Sequence, residues 1–389
     1  MPEPDAAYVT ATLTELVRIN SINPAFTGGR TDEREIAGYV EAALAALGCD
    51  VTRHEPEPGR VSVTGRLPGA RRGRSLMLYA HMDTVGVEGM TDPFSGGVRD
   101  GRLYGRGAYD MKCGLAACLG AVKALRDAGT PIGGDLVICA VADEETESLG
   151  MRDVLERVRT DAAIVTEPTE LELCVAHKGF CWIEVVTEGR AAHGSRFALG
   201  VDANMRMGRF LAVLDGLEQR LRATPPHPLL GPPSLHAAVL QGGTGTSTYA
   251  ARCRLEIERR TLPGETADLV MQEIGELIAP LRAADPGLEI NHRLLLARDP
   301  FEVAPGAAIV RAVRSAAAER LGNPPATNGV SFWMDAALIA SAGIETVVIG
   351  PRGAGAHAAE EWVDVQSVVE LAGILAAAAI RYWDGIPTT

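Results

Sequence analysis

The 389-residue sequence predicts an α/β chain: an open mixed sheet with helices on both faces, into which a smaller α+β unit is inserted. Three observations carry the prediction. In the first half, short and nearly unbroken apolar runs alternate with segments of helical spacing, as strands buried on both faces and their crossover helices do. In the middle, half-exposed strands and two helices follow the order β-α-β-β-α-β. Near the end the first pattern resumes. A chain of this length also exceeds one ordinary core, so two domains or one domain with a large insertion is expected.

The elements follow in order. Residues 7–19 and 32–47 carry apolar positions at helical spacing. SLMLYA at 75–80 reads as a buried strand and 111–128 as a helix. LVICAVA at 136–142 and AAIVT at 162–166 are further buried strands, an alternation that argues a sheet covered by helices. Helix 306–321, strand 346–349 and helix 366–382 close the chain. Between these halves, FCWIEVVT at 180–187 alternates like a strand exposed on one face. Helix 202–222, strands 235–240 and 249–258, helix 265–281 and strand 288–296 complete a split β-α-β unit. The expected boundaries are 1–179 and 298–389 for the α/β domain and 180–297 for the insertion.

Composition narrows the function classes. Hydrophobic residues are 47% and charged residues 22%, the profile of a soluble globular protein. Lys and Arg total 37 against 50 Asp and Glu, giving a net charge of −13 with no basic run, which argues against nucleic acid as a partner. No apolar run approaches the roughly 18 residues of a membrane span. The late run at 371–380 is short, Ala-rich and closed by Arg381. The N-terminal MPEPDAAYVT does not read as a signal peptide, so a cytoplasmic protein without a membrane partner is expected. Seven cysteines without a C-x-x-C pair read as reduced thiols. Cys113, Cys118, Cys139 and Cys181 lie in apolar stretches and read as small core residues.

The chemistry-bearing residues stand at strand ends. His81 and Asp83 follow SLMLYA, where open α/β sheets bind ligands, and positions two apart share a strand face. An imidazole there can bind a metal while the carboxylate accepts its other N–H. Taken alone, the pair also reads as a surface histidine and a turn aspartate. Asp143, Glu144 and Glu145 follow LVICAVA; adjacent carboxylates repel unless solvated or neutralised by a cation. Glu167 ends AAIVT ahead of Pro168. Asp110 precedes a helix, where an N-cap is the ordinary role, but the glycines around it suggest a closely packed backbone. His357 follows strand 346–349 in a Gly/Ala loop. Each residue has a bland reading. Together, two histidines and several carboxylates at the ends of one sheet suit a hydrolytic zinc site, and one bridging carboxylate lets five ligands serve two ions.

HMDTV, GRGAYDMKCG, ADEETESLG, TEPT, GRAAHGS, ERRTLPG and GAHAAEEW occur in the order seen in the di-zinc amidohydrolase/exopeptidase family. That family includes acetylornithine deacetylase, succinyl-diaminopimelate desuccinylase, aminoacylase and the glutamate-releasing carboxypeptidases. The resemblance runs from the SINP near residue 21 to Trp362. It implies a zinc-exopeptidase-like sheet and an inserted ferredoxin-like domain serving as lid and dimerisation unit.

It also implies roles for individual residues. His81, Asp110 and Glu167 would hold one zinc, and Asp110, Glu145 and His357 the other; Co2+ or Mn2+ would be able to substitute. Asp83 would orient His81. Glu144 would deprotonate the attacking water and later protonate the leaving amine. His193 resembles the histidine that stabilises the oxyanion, and Arg260 the arginine that grips a substrate carboxylate. The neighbouring Arg259 is expected to point away from that site into solvent. Two positions depart from the common pattern. Gly86 stands where a proline is frequent, and Ser247 replaces an asparagine that usually helps bind substrate. The function implied is hydrolysis of the amide bond of a small N-acyl amino acid, as in acetylornithine deacetylase. A dipeptidase or carboxypeptidase is the alternative, and a non-catalytic metal-binding relative the remote one. The expected partners are the small N-acyl amino acid or dipeptide and a second copy of the chain, joined through the inserted domain.

Overall fold

Residues 2–69 and 73–385 are described by the structure, a computed structural model. The chain divides into two units: one runs up to Val175 and includes Val303–Asn328 and the chain from Met334 onward, the other comprises Ala176–Glu302 and Gly329–Trp333.

In the first unit the strands lie in the order Asp50–Glu57, Arg60–Leu67, Leu136–Val141, Leu76–His81, Ala162–Val165, Glu345–Val348 and Leu173–His177. The four from Leu136–Val141 to Glu345–Val348 are parallel, and those flanking them are antiparallel, so the sheet is mixed. Leu76–His81, Leu136–Val141 and Ala162–Val165 are buried throughout, which is why each reads as an unbroken apolar run. Helices cover both faces. On strand Arg60–Leu67, Gly65 meets Leu44 of helix Arg34–Ala46, whereas Ser62 meets Gly150 of helix Leu149–Arg157. Residues three apart on a strand point to opposite faces.

Register decides where the site forms. His81 pairs with Val141, Tyr79 with Val165, and Val165 with Val348, so the carboxyl ends of the parallel strands come level. A small antiparallel sheet of Gly97–Arg99, Arg102–Tyr104, Trp362–Asp364 and Gly353–Ala354 then sets the chain ahead of Asp110 beside the segment that carries His357. The outer hairpin Asp50–Glu57/Arg60–Leu67 lacks a sequence signal because its edge strand is mostly polar and exposed.

Helix Val365–Asp384 is long and apolar enough to cross a membrane by length and composition, more so than residues 371–380 suggest alone. It is mostly buried, packed on Lys112–Asp127 and Ala308–Leu321. All seven cysteines are buried free thiols.

The second unit is an antiparallel sheet in the order Ser234–Gly242, Arg252–Thr261, Gly179–Glu188, Ile290–Arg298, with helices Ala203–Ala223 and Ala267–Ala284 packed on one face. This is the split β-α-β arrangement. Ile183, Val185, Phe210, Leu214, Leu255, Ile257 and Ile274 form its core. Asp202 and Thr266 cap the two helices by accepting first-turn amides.

Strand Arg252–Thr261 begins three residues later than the apolar pattern suggests, because the Tyr249 amide is drawn to Ala192 O at 3.0 Å. Alternation then places Cys253, Leu255, Ile257 and Arg259 beneath the helices. Arg259 is therefore not solvated as expected from sequence. It is 1% exposed, donating to Glu265 Oε1 at 2.6 Å, Glu273 Oε2 at 3.3 Å and Arg260 O at 2.6 Å. A guanidinium carried under a helix layer has to be paired there, since burying it alone is prohibitive.

Candidate metal centre

His81 is the last residue of the central strand and is almost fully buried. Its Nδ1 lies 3.0 Å from the Asp83 main-chain oxygen, a bond in which only the imidazole can donate, so Nε2 faces the site. The Asp83 carboxylate is 3.6 Å from Nδ1 and has other partners. It accepts the amides of Glu144 at 3.1 Å and Glu145 at 3.2 Å, and Asn23 Nδ2 at 2.8 Å. Asp83 thus orients His81 through its backbone and the Glu144–Glu145 loop through its side chain.

Around His81 Nε2 stand Asp110 Oδ1 at 3.3 Å, Glu167 Oε1 at 3.7 Å and Glu144 Oε2 at 4.0 Å. Asp110 turns its other oxygen, Oδ2, to His357 Nε2 at 3.3 Å, and Glu145 Oε2 lies 3.2 Å from the same nitrogen. One carboxylate therefore faces two imidazoles, each with a further glutamate beside it. The Asp110–Met111 peptide is cis. His357 has φ +61°, a left-handed conformation uncommon outside glycine. Two residues earlier, Gly355 has φ +89° and lies so close to Glu360 O that a Cβ would sit 1.9 Å from it, so only glycine fits.

The electrostatics show what the cluster lacks. Burial pushes Glu144 and Glu167 well above the usual carboxylate range; His81 opposes the shift and neighbouring carboxylates reinforce it. Glu145 is raised by burial and by Asp110. Burial also acts to raise Asp110, but its bonds to His357 and His81 outweigh that and hold it low. His357 is pushed up to about 10 by its bonds to Asp110 and Glu145. For His81, burial is overcome by the Asp110 bond and the surrounding acids, and the imidazole is held well above its ordinary value. Glu145 Oε1 is buried with no hydrogen-bond partner among the described residues. Two imidazole nitrogens and crowded carboxylates short of positive charge are the donor set of hard or borderline divalent cations. Ligand atoms of His81, Glu144 and Glu167, and of His81, Asp110 and Glu145, lie within 4.8 Å of one another, so the residues present fit such a cation.

The remaining sequence-predicted residues lie in the second unit. His193 is exposed on the loop before helix Ala203–Ala223 and forms a bridge with Thr248. Its Nδ1 accepts the Ser195 amide at 3.2 Å and lies 2.8 Å from the Ser195 hydroxyl, which leaves the ring proton on Nε2. Ser247 runs beside it, its carbonyl accepting the Gly194 amide at 2.7 Å. Arg260 sits on the open face of strand Arg252–Thr261, over the Phe180 ring at 5.2 Å, with Nε donating to Glu258.

Several residues around the centre escaped the sequence reading. Asn23 Nδ2 links Asp83 to Asp143 at 2.9 Å, and Asn23 Oδ1 accepts Arg60 Nη2 at 3.0 Å. Arg60 also binds Glu33 Oε1 at 2.5 Å and Asp143, joining one buried guanidinium to the acids beneath the Glu144–Glu145 loop. Asn23 belongs to the SINP stretch, but Arg60 has no local signal. Arg106 and Glu361 lie inside GRGAYDMKCG and GAHAAEEW, where motif order alone does not show that they pair.

The model of peptidase family M20/M25/M40 matches residues 77–381. The chain is 31% identical over 386 residues to acetylornithine deacetylase of Myxococcus xanthus, covering 96% of this chain and 97% of that one. It is 29% identical over 372 residues to N-formyl-4-amino-5-aminomethyl-2-methylpyrimidine deformylase of Bacillus subtilis, covering 87% and 86%. Among solved structures, aminopeptidase PepT of Bacillus cereus superposes with a TM-score of 0.80 at 20% identity, over 98% of this chain and all of that one, which is a likeness of fold. With its family model spanning most of the sequence and a relative matching almost end to end, this chain belongs to peptidase family M20/M25/M40.

Proposed function

We propose that the chain hydrolyses the amide bond of a small N-acyl amino acid, as an acetylornithine deacetylase does, at a centre of two divalent metal ions, zinc by donor chemistry. The observation that carries the reading is Asp110, whose two oxygens face His81 and His357 separately, with Glu167 and Glu145 completing the two sets. When bound, such ions supply Lewis acidity and make a water acidic near neutral pH. The chain's own residues do the rest. Glu144, at the rim of the cluster, takes the proton of the attacking water and returns it to the leaving amine. His193, with its proton on Nε2, donates to the developing oxyanion. Arg260 receives the substrate carboxylate, helped by Ser247.

Relatives at 31% and 29% identity that remove an acetyl and a formyl group favour a deacylase. The peptidase fold neighbours keep a dipeptidase or carboxypeptidase as the second reading. Turnover of a panel of N-acetyl, N-succinyl, N-formyl and dipeptide substrates with zinc or cobalt separates them. Cleavage of dipeptides alone would sink the deacylase reading.

Two ions per chain are expected by metal analysis, with activity abolished by chelation and restored by zinc. Fully active enzyme holding one ion or none would overturn the two-metal form. Arg260→Ala is expected to raise KM for free-acid substrates roughly 30–150-fold, the equivalent of the about 2–3 kcal/mol of a charge-assisted contact, and to spare amidated ones. Equal loss for both would make Arg260 a structural residue, bonded to Glu258 for its own sake.

The active species in this reading is a homodimer in which His193 serves the partner's site. Strand Ser234–Gly242 is an edge of its sheet and is largely exposed, with Ala237, Ala238 and Leu240 uncovered, a surface open to pairing with a second copy. Co-refolding the inactive variants Glu144→Ala and His193→Ala tests this. Half the dimers are then mixed and each has one complete site, so roughly a quarter of wild-type activity should return. Verified subunit exchange without recovery rules out action in trans.

A further inference from the structure

The ligand loops of the first unit are joined by a buried ion pair to which neither the reaction nor the metal assignment gives a role. Glu361 is 1% exposed, and its carboxylate accepts four hydrogen bonds. Oε1 takes the amides of Tyr109 at 2.9 Å and of Asp110 itself at 3.0 Å. Oε2 takes the Gly107 amide at 3.1 Å and Arg106 Nη1 at 2.6 Å. The main chain adds a fifth bond, from the Gly105 amide to Glu361 O at 3.1 Å. Arg106, 3% exposed, uses its remaining nitrogens on two other loops. Nε donates to Gly86 O at 2.8 Å, three residues beyond Asp83, and Nη2 donates to Ala358 O at 3.1 Å, the residue after His357.

Three chain segments that carry the candidate ligands thus meet on one carboxylate and one guanidinium. The amide of the bridging residue is itself held. The carbonyl next to His357 is held as well, and His357 is in a left-handed conformation uncommon outside glycine. The carboxylate is needed in its acceptor-only form, because every group that faces it is a donor.

We propose that Glu361 and Arg106 are positioning residues for the metal centre: the pair sets the two oxygens of Asp110 against His81 and His357, and through that geometry determines how tightly the ions bind. The proposal rests on the two-ion reading above and adds to it the residues that preorganise the site. Partners that orient metal ligands typically carry a 10–100-fold share of metal affinity.

The test is Zn2+ binding to the metal-free chain, measured by competition with a chromophoric chelator, with unfolding of the metal-free chain followed separately. Glu361→Gln keeps the size of the side chain but turns an NH2 toward donors. At least one stepwise Zn2+ dissociation constant should rise roughly 10–100-fold. Both constants at wild-type values, even with a lowered Tm of the metal-free chain, would overturn the proposal, since that is what a purely structural brace predicts. Arg106→Lys carries the same test if Glu361→Gln does not fold. It keeps the charge beside Glu361 but cannot fork to Gly86 and Ala358, and should weaken Zn2+ binding in the same direction. The double variant should be no worse than the weaker single one, because the two residues act as a unit. If the wild-type chain binds one ion, the two-ion reading fails separately, and the positioning claim is judged on that single constant.

Discussion

Glu144→Gln is expected to keep the fold and both bound ions and to lose roughly 10²–10⁴ in kcat, the usual share of a general acid–base group. The substitution changes one oxygen for an amide nitrogen and leaves the main chain, tied through the Glu144 amide to Asp83, as it was. Burial, opposed by His81 and reinforced by the charge of Glu167, raises the proton affinity of the Glu144 carboxyl. Such a group is suited to holding a proton between abstraction from water and delivery to the amine. Steady-state kinetics, metal analysis and circular dichroism on the same preparation check the result. Loss of a metal ion in Glu144→Gln would mean that Glu144 and Glu145 have exchanged roles. The geometry offers another cause of such a loss, a direct ligand role beside His81, because Glu144 Oε2 is only slightly farther from His81 Nε2 than Glu167 Oε1 is, 4.0 against 3.7 Å.

The largest effect on stability is expected from Arg60→Met, at about 3–5 kcal/mol, the cost of removing one partner from a buried ion pair. Arg60 is nine-tenths buried and binds Glu33, which is fully buried, as well as Asp143 and Asn23. Without it Asp143 loses its buried counter-charge and Glu33 its hydrogen-bond donor. Glu33 is already pushed up to about 8, first by burial and then by Asp83, against the pull of Arg60. Denaturant unfolding of the variant and of Arg60→Met combined with Glu33→Gln measures the effect. The double variant should recover part of the loss, because the unpaired acid and not the lost contact is the main cost. A loss below about 1 kcal/mol would show the cluster to be solvated and no firmer than a surface pair.

Much of the architecture was legible in the chain. Strands buried on both faces, such as Leu76–His81 and Leu136–Val141, leave no room for polar residues, so burial writes itself into consecutive letters. The split β-α-β unit was legible for the complementary reason, since one covered face produces alternation, strict in Arg252–Thr261 and kept only in the first half of the central strand Gly179–Glu188. The hairpin Asp50–Glu57/Arg60–Leu67 was not, because its outer strand is exposed and polar and its order comes from pairing. Arg259 was misplaced for a related reason. Alternation assigns it a face, but only the helix above, with Glu273, and the turn at Glu265 make that face a closed one.

For the centre, the sequence by itself determined which residues have ligand chemistry and that each follows a strand or opens a helix: His81, Asp110, Glu144, Glu145, Glu167 and His357. These are local facts, because residue type and neighbouring pattern are read along the chain. What only the tertiary structure decided is their mutual arrangement and what holds it. In-register pairing brings the strand ends level, the small sheet sets Asp110 beside His357, and Asp83 turns its carboxylate to the Glu144–Glu145 loop instead of to His81. Arg60 with Asn23, and Arg106 with Glu361, are joined across 37 and 255 residues. No local pattern signals such pairs, since a buried charge is satisfied by whichever partner the fold delivers, at any separation along the chain.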